Sequence, residues 1–84
     1  SLWQNFPNPF NPFTTVTYQI PAACRVSLRV YDLLGRAVVS LVDGVEQPGI
    51  HRARLDGTAL ASGVYICRLT AGGFTAAKKV VLVK

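Results

Sequence analysis

Residues 24–31 read Cys24-Arg25-Val26-Ser27-Leu28-Arg29-Val30-Tyr31, an alternation in which the even positions are apolar or a thiol. In an extended chain successive side chains point to opposite faces. Cys24, Val26, Leu28 and Val30 therefore share one surface, and Arg25, Ser27, Arg29 and Tyr31 share the other. A helix would scatter both sets around its circumference. The stretch predicts a strand with one buried and one wetted face.

The same period continues in both directions. Upstream, Val16, Tyr18 and Ile20 alternate with Thr15, Thr17 and Gln19 until Pro21 ends the run. Downstream, Asp32-Leu33-Leu34-Gly35 reads as a turn and Arg36–Val42 as the next strand. Asp43-Gly44 is expected to start a longer loop ending at Pro48-Gly49, after which His51, Ala53 and Leu55 alternate with Arg52 and Arg54. Asp56-Gly57 turns the chain again, with at most one short helical turn over Thr58–Ala61, before Val64–Thr70. Ala71-Gly72-Gly73 is a hairpin loop, and Phe74–Lys84 is the expected last strand. About seven short strands with turn signals between them predict an all-β, antiparallel β-sandwich.

Ahead of the first strand, Asn5-Phe6-Pro7-Asn8-Pro9-Phe10-Asn11-Pro12-Phe13 carries three prolines and three of the four phenylalanines. Proline lacks an N–H and pushes the residue before it toward extended geometry, so a stiff, extended strip is expected. Open sandwich edges offer it a place to lie, with Phe6, Phe10 or Phe13 packing down. The expected division is a proline-rich lead-in over residues 1–12 and a sandwich over residues 13–84.

With 84 residues the chain is one domain; half its residues are hydrophobic and 15% are charged, which indicates a globular protein. The longest apolar run, Val80–Val83, is sized for a strand and far short of the roughly 20 residues that cross a membrane. The chain begins at Ser1, contains no methionine and shows no basic-then-apolar leader, so it reads as a segment of a longer protein. The net charge of +5 is spread over nearly every strand. Nucleic-acid binders concentrate such charge and interleave aromatics, so no nucleic-acid partner is expected.

Catalytic and metal chemistry have little to work with. The carboxylates are Asp32, Asp43, Glu46 and Asp56, three of them in turn sequences where Asp serves the backbone. His51 is the only histidine, which leaves zinc sites and nucleophile–base pairs short of partners. It falls on the apolar face of its strand, where a hydrogen-bonded core position is expected. No enzyme activity, metal or cofactor is predicted. Cys24 and Cys67 both point inward in this reading. They either bridge opposing strands of the sandwich or lie buried as two free thiols, and sequence alone does not choose.

Five stretches in order and register carry a family resemblance. They are Pro7–Pro12 running into Thr14-Thr15-Val16, Val30–Arg36, Pro48–His51, Leu60–Tyr65 and Lys78–Lys84. Together they resemble the C-terminal sorting domain of the type IX (Por) secretion system, an immunoglobulin-like family related to the outer domain of flagellar hook-capping proteins. The resemblance implies a non-catalytic domain within a larger secreted protein of the Bacteroidota and related bacteria. The parent would reach the cell surface or the medium through the periplasm and the outer-membrane translocon, its partner together with the sorting machinery. Such domains are often removed or used in surface attachment.

By correspondence the sorting signal would comprise Gly49 with His51, Gly63-Val64-Tyr65, and Lys78-Lys79-Val80-Val81-Leu82-Val83-Lys84. The last strand could present backbone groups and a cationic tip for strand addition. Turn geometry alone would explain Gly49 and Gly63, and a sandwich-corner hydrogen bond would explain Tyr65. Exposed edges and an apolar last strand would also let two copies pair weakly. Two other functions compete. One is a carbohydrate-binding module using Trp3, Phe6, Phe10 and Tyr31 as a platform, and the other is a structural immunoglobulin-like spacer.

Overall fold

The computed structural model describes residues 1–84. Six strands form: β1 (Phe13–Ile20), β2 (Cys24–Tyr31), β3 (Ala37–Glu46), β4 (Gly49–Asp56), β5 (Gly63–Ala71) and β6 (Phe74–Leu82). β1 pairs with β4 as one sheet, and the other sheet runs β3-β2-β5-β6, with every pairing antiparallel. The architecture is the all-β antiparallel sandwich that the period-two pattern predicts.

The alternation places the core. Val16, Tyr18 and Ile20 of β1 and Leu55 of β4 face Val26, Leu28 and Val30 of β2, Cys67 and Leu69 of β5, and Val80 and Leu82 of β6. All are 2% exposed or less, and burial of each large aliphatic side chain is worth about 1.5–3 kcal/mol. At the β2–β3 hairpin, Asp32 Oδ1 accepts from the Leu34 and Arg36 amides at 2.9 and 3.0 Å, so an aspartate closes the turn.

Several sequence expectations change. The strand count is six rather than about seven, and residues 1–12 make isolated bridges only. The expected loop from Asp43 is instead strand. β3 runs on to Glu46, held opposite β2 by the Val26↔Gly44 and Cys24↔Glu46 pairings and by an Arg25–Asp43 ion pair of 2.6 Å. An extended partner overrides a local turn signal here. Finally, Cys24 and Cys67 are free and lie in the same sheet rather than in opposing ones. Cys67 sits opposite Val30, six residues from Cys24 along β2, which is about 20 Å at the strand rise. A disulfide needs Cα atoms within about 7 Å, so the bridge does not fit.

The lead-in segment joins the two sheets along their edges. Residues 1–6 run beside the free edge of β1: Trp3 and Phe6 amides donate to the Thr17 and Thr15 carbonyls, and the Thr15 and Gln19 amides donate to Phe6 and Ser1 carbonyls. Beyond Phe6 the strip is not extended as expected but bends, with cis bonds at Phe6-Pro7, Asn8-Pro9 and Asn11-Pro12. Phe10 then reaches β6. Of the three phenylalanines Phe10 packs inward at 2% exposure, while Phe6 is 82% and Phe13 39% exposed. Gly57 makes this packing feasible. A Cβ there would lie 3.0 Å from Leu82 Cδ2 and 3.1 Å from Phe10 Cε2.

Candidate functional site

The residues proposed as a sorting signal fall into two places. Gly63-Val64-Tyr65 opens β5 opposite Leu82, Val81 and Val80, so these two elements form one paired unit at the end of the four-stranded sheet. Val80 and Leu82 are buried at 1% each, whereas Lys78, Lys79, Val83 and Lys84 are exposed and Val81 is half-buried. The tip is tied back: the Lys84 amide donates to Ser62 Oγ at 3.0 Å and its Nζ to the Thr58 carbonyl at 2.7 Å. The Tyr65 hydroxyl donates to the Ala61 carbonyl, a corner bond that fixes the start of β5.

Gly49 and His51 lie elsewhere. They open β4 opposite Ile20 and Tyr18, and His51 is six residues from Gly57, about 20 Å along the strand from the Phe10–Leu82 contact. Gly49 has φ +127, a geometry that side chains resist, which suits it to the tight exit from β3. The His51 ring stacks on Tyr18 with centroids 5.3 Å apart, and its Nε2 is 2.7 Å from the Gln47 carbonyl oxygen. Glu46 Oε1 accepts from the Tyr18 hydroxyl at 2.8 Å and lies 3.9 Å from His51 Nδ1. Burial, and then the bond and charge of Glu46, push the Tyr18 phenol well above its ordinary range.

Side chains that the sequence reading passed over complete the terminal strand. On the edge of β6 facing away from β5, Gln4 Nε2 donates to the Lys79 carbonyl at 2.7 Å and the Val81 amide donates to Asn8 Oδ1 at 3.0 Å. The Phe10 amide donates to the Val81 carbonyl at 2.9 Å, and the Val83 amide to the Phe10 carbonyl at 3.0 Å. Asn5, buried at 3%, braces the segment by donating to Thr14 Oγ1 and the Pro7 carbonyl, both at 3.1 Å. Of these, only Asn8 falls in a marked motif, Pro7-Asn8-Pro9, where its side-chain carbonyl serves as the acceptor for the Val81 amide.

The geometry does not assemble the other candidate sites. Phe10 is in the core, Trp3 is on the strip beside β1, and Tyr31 is on the outer face of the other sheet, so no common aromatic platform forms. No three His, Cys, Asp or Glu side chains come together. Burial pushes the Cys67 thiol up to about 11 from its ordinary 9.0, which leaves it protonated at neutral pH.

A small antiparallel sandwich with a braced, partly exposed terminal strand and no convergent reactive groups is the outline of a recognition or targeting module. The chain belongs to the secretion system C-terminal sorting domain family, whose profile matches residues 4–84. No curated protein matches the chain. Membership makes it the type IX sorting signal of a larger secreted protein, exported across the outer membrane to the cell surface or the medium. The family's role is sorting, not catalysis.

Proposed function

We propose that the outer-membrane translocon reads this domain through its terminal strand, with Lys78–Lys84 as the recognised element and Gly63-Val64-Tyr65 as the partner that presents it. The supporting observation is the division of side chains along β6. Val80 and Leu82 are locked in the core while Lys78, Lys79, Val83 and Lys84 face solvent, so a receptor can engage the cationic ending without unfolding the sandwich. Gly49 and His51 act indirectly in this reading, by shaping the turn from β3 into β4. Residues 1–12 serve as the junction through which the parent protein joins the sandwich, and the domain itself contributes no catalysis.

The test is a periplasm-directed fluorescent reporter carrying residues 1–84 at its C-terminus, expressed in a bacterium with a type IX system. Beside it runs the same fusion lacking residues 78–84, and one with Lys78, Lys79 and Lys84 replaced by glutamine. Surface or medium fluorescence from the intact fusion alone is expected. Export of all three would remove the terminal strand from recognition. Periplasmic retention of the intact, folded fusion would count against translocon recognition in that host.

A further inference from the structure

The outer face of the four-stranded sheet carries a charge arrangement that the sorting role leaves unused. Arg29 of β2 and Arg68 of β5 sit directly opposite each other and share that face. Like charges in such a pair destabilise a sheet. Arg29 makes no ion pair, and its Nε is buried without any hydrogen-bond partner. Arg68 also lacks an acidic partner, and its guanidinium lies 4.9 Å over the Tyr31 ring, which fixes its direction. Lys79 extends the same face, opposite Ile66.

No internal anion is left to neutralise this group. Asp43 is taken by Arg25 and Asp32 by Arg36; Glu46 is bonded by Tyr18, and Asp56 by Thr58. Beside Arg68 lies a groove of about 230 Å³, lined by Tyr31, Leu33 and Ile66 together with Asp32. Asp32 stays ionised but carries Arg36 at 2.8 Å, so its charge is largely cancelled.

We propose that this face is a carboxylate-binding site, in which Arg29 and Arg68 grip one acidic side chain of a protein partner while Tyr31, Leu33 and Ile66 cover the apolar residue next to it. The guanidiniums supply fork-shaped donors that match a carboxylate, and an anion held between them offsets the repulsion of the directly opposed Arg29 and Arg68. The groove has room for one side chain, not an oligosaccharide. The three cations Arg29, Arg68 and Lys79 fall short of the roughly four to eight that mark an anionic membrane surface. The site lies apart from the Lys84 tip and requires no part of the sorting reading.

The probe is the peptide acetyl-Glu-Leu-Glu-amide, titrated into the isotopically labelled 84-residue chain and followed by NMR. Saturable shifts are expected at the Arg29 and Arg68 Nε–H groups and at the Tyr31, Leu33 and Ile66 amides. Arg68→Gln weakens binding about tenfold, whereas Arg52→Gln, an equal loss of charge on the other sheet, leaves it within about twofold. In the probe-free chain Arg29→Met raises the thermal midpoint by about 4 °C, because it relieves the like-charge pair and the orphaned donor. An equal loss in Arg52→Gln would reduce the effect to diffuse charge and overturn the site. Inorganic phosphate producing the same shifts at equal concentration, or vesicles of 3:1 neutral to anionic lipid binding with the same Arg68 dependence, would overturn the assignment to a protein carboxylate. The assay contains no secretion machinery, so its result is independent of the reporter experiment above.

Discussion

Replacing Phe10 with alanine should free the lead-in segment from the terminal strand while the two sheets stay assembled. Phe10 is 2% exposed and packs over Gly57 beside Leu82. Removing a ring from such a site costs about 3–5 kcal/mol. A domain of this length is worth about 4–13 kcal/mol in total at the usual per-residue stability, so the loss is a large fraction of the whole. The variant is therefore studied at low temperature, where the remainder is greatest. At about 4–8 °C per kcal/mol, even the lower figure lowers the thermal midpoint by about 12 °C.

Amide hydrogen exchange separates this from general loosening. The Val81 and Val83 amides are bonded to Asn8 and Phe10, whereas alternation turns the Val80 and Leu82 amides toward β5. Release of the segment exposes the first pair; the second exchanges only when the sheet separates. In the unsubstituted domain Val81 and Val83 should therefore be the less protected pair. In Phe10→Ala they should lose nearly all protection while Val80 and Leu82 keep theirs. Loss of protection at all four together, or a midpoint shift below about 3 °C, would refute the reasoning.

Gly57→Ala forces a methyl against Phe10 and Leu82 from the other side, and overpacking of about 1 kcal/mol should lower the midpoint by about 4–8 °C. An unchanged midpoint would mean that both side chains yield. The two thiols should react differently. Cys24, lining an open groove, is expected to react with a disulfide reagent in the folded domain, and Cys67 only after unfolding. Finding no thiols in the denatured, unreduced chain would contradict the separation seen here. Stability should have a plateau and two limbs. The fold raises the Tyr18 phenol and the Cys67 thiol above their ordinary 10.0 and 9.0 by favouring the neutral forms, so their contribution is full below those values and lost as pH rises through and beyond them. The Arg36 amide and the Thr58 hydroxyl are the leading causes that hold Asp32 and Asp56 below their ordinary 3.8, so that contribution is full above the carboxylate range and lost below about pH 4. Urea midpoints from pH 3 to 11 should show both limbs, and Tyr18→Phe should flatten the alkaline one.

What the sequence disclosed depended on whether a partner in space was needed to interpret it. The alternation in β1, β2 and β5 is a property of each strand alone, and the buried sets Val16–Tyr18–Ile20 and Val26–Leu28–Val30 follow directly. Asp43-Gly44 is a sound local turn signal, yet β2 extends far enough to keep that stretch paired. For the cysteines the pattern supplied the face but not the sheet, and a bridge depends on which strands oppose one another. The terminal strand was singled out as a candidate site through resemblance alone. Nothing in Lys78–Lys84 itself distinguishes a recognised ending from a last strand, and the polar residues that brace it lie more than 70 positions away.

Those distant residues bear on how the ending can be read. From the Lys79 carbonyl to the Val83 amide, each outward-directed backbone group of β6 is already bonded to Gln4, Asn8 or Phe10. An unpaired apolar edge invites association with other chains, so the segment protects the strand proposed above as the recognised element. Strand addition then has two routes. A receptor strand either pairs from Thr75 up to the Lys79 amide, where the edge is open, or displaces Phe10 and loses the burial of its ring. The first route leaves the sandwich intact and places the incoming strand beside Lys78 and Lys79. The second couples recognition of the last strand to release of residues 1–12, because the same hydrogen bonds hold both. A receptor that grips only the exposed Lys and Val83 side chains requires neither change.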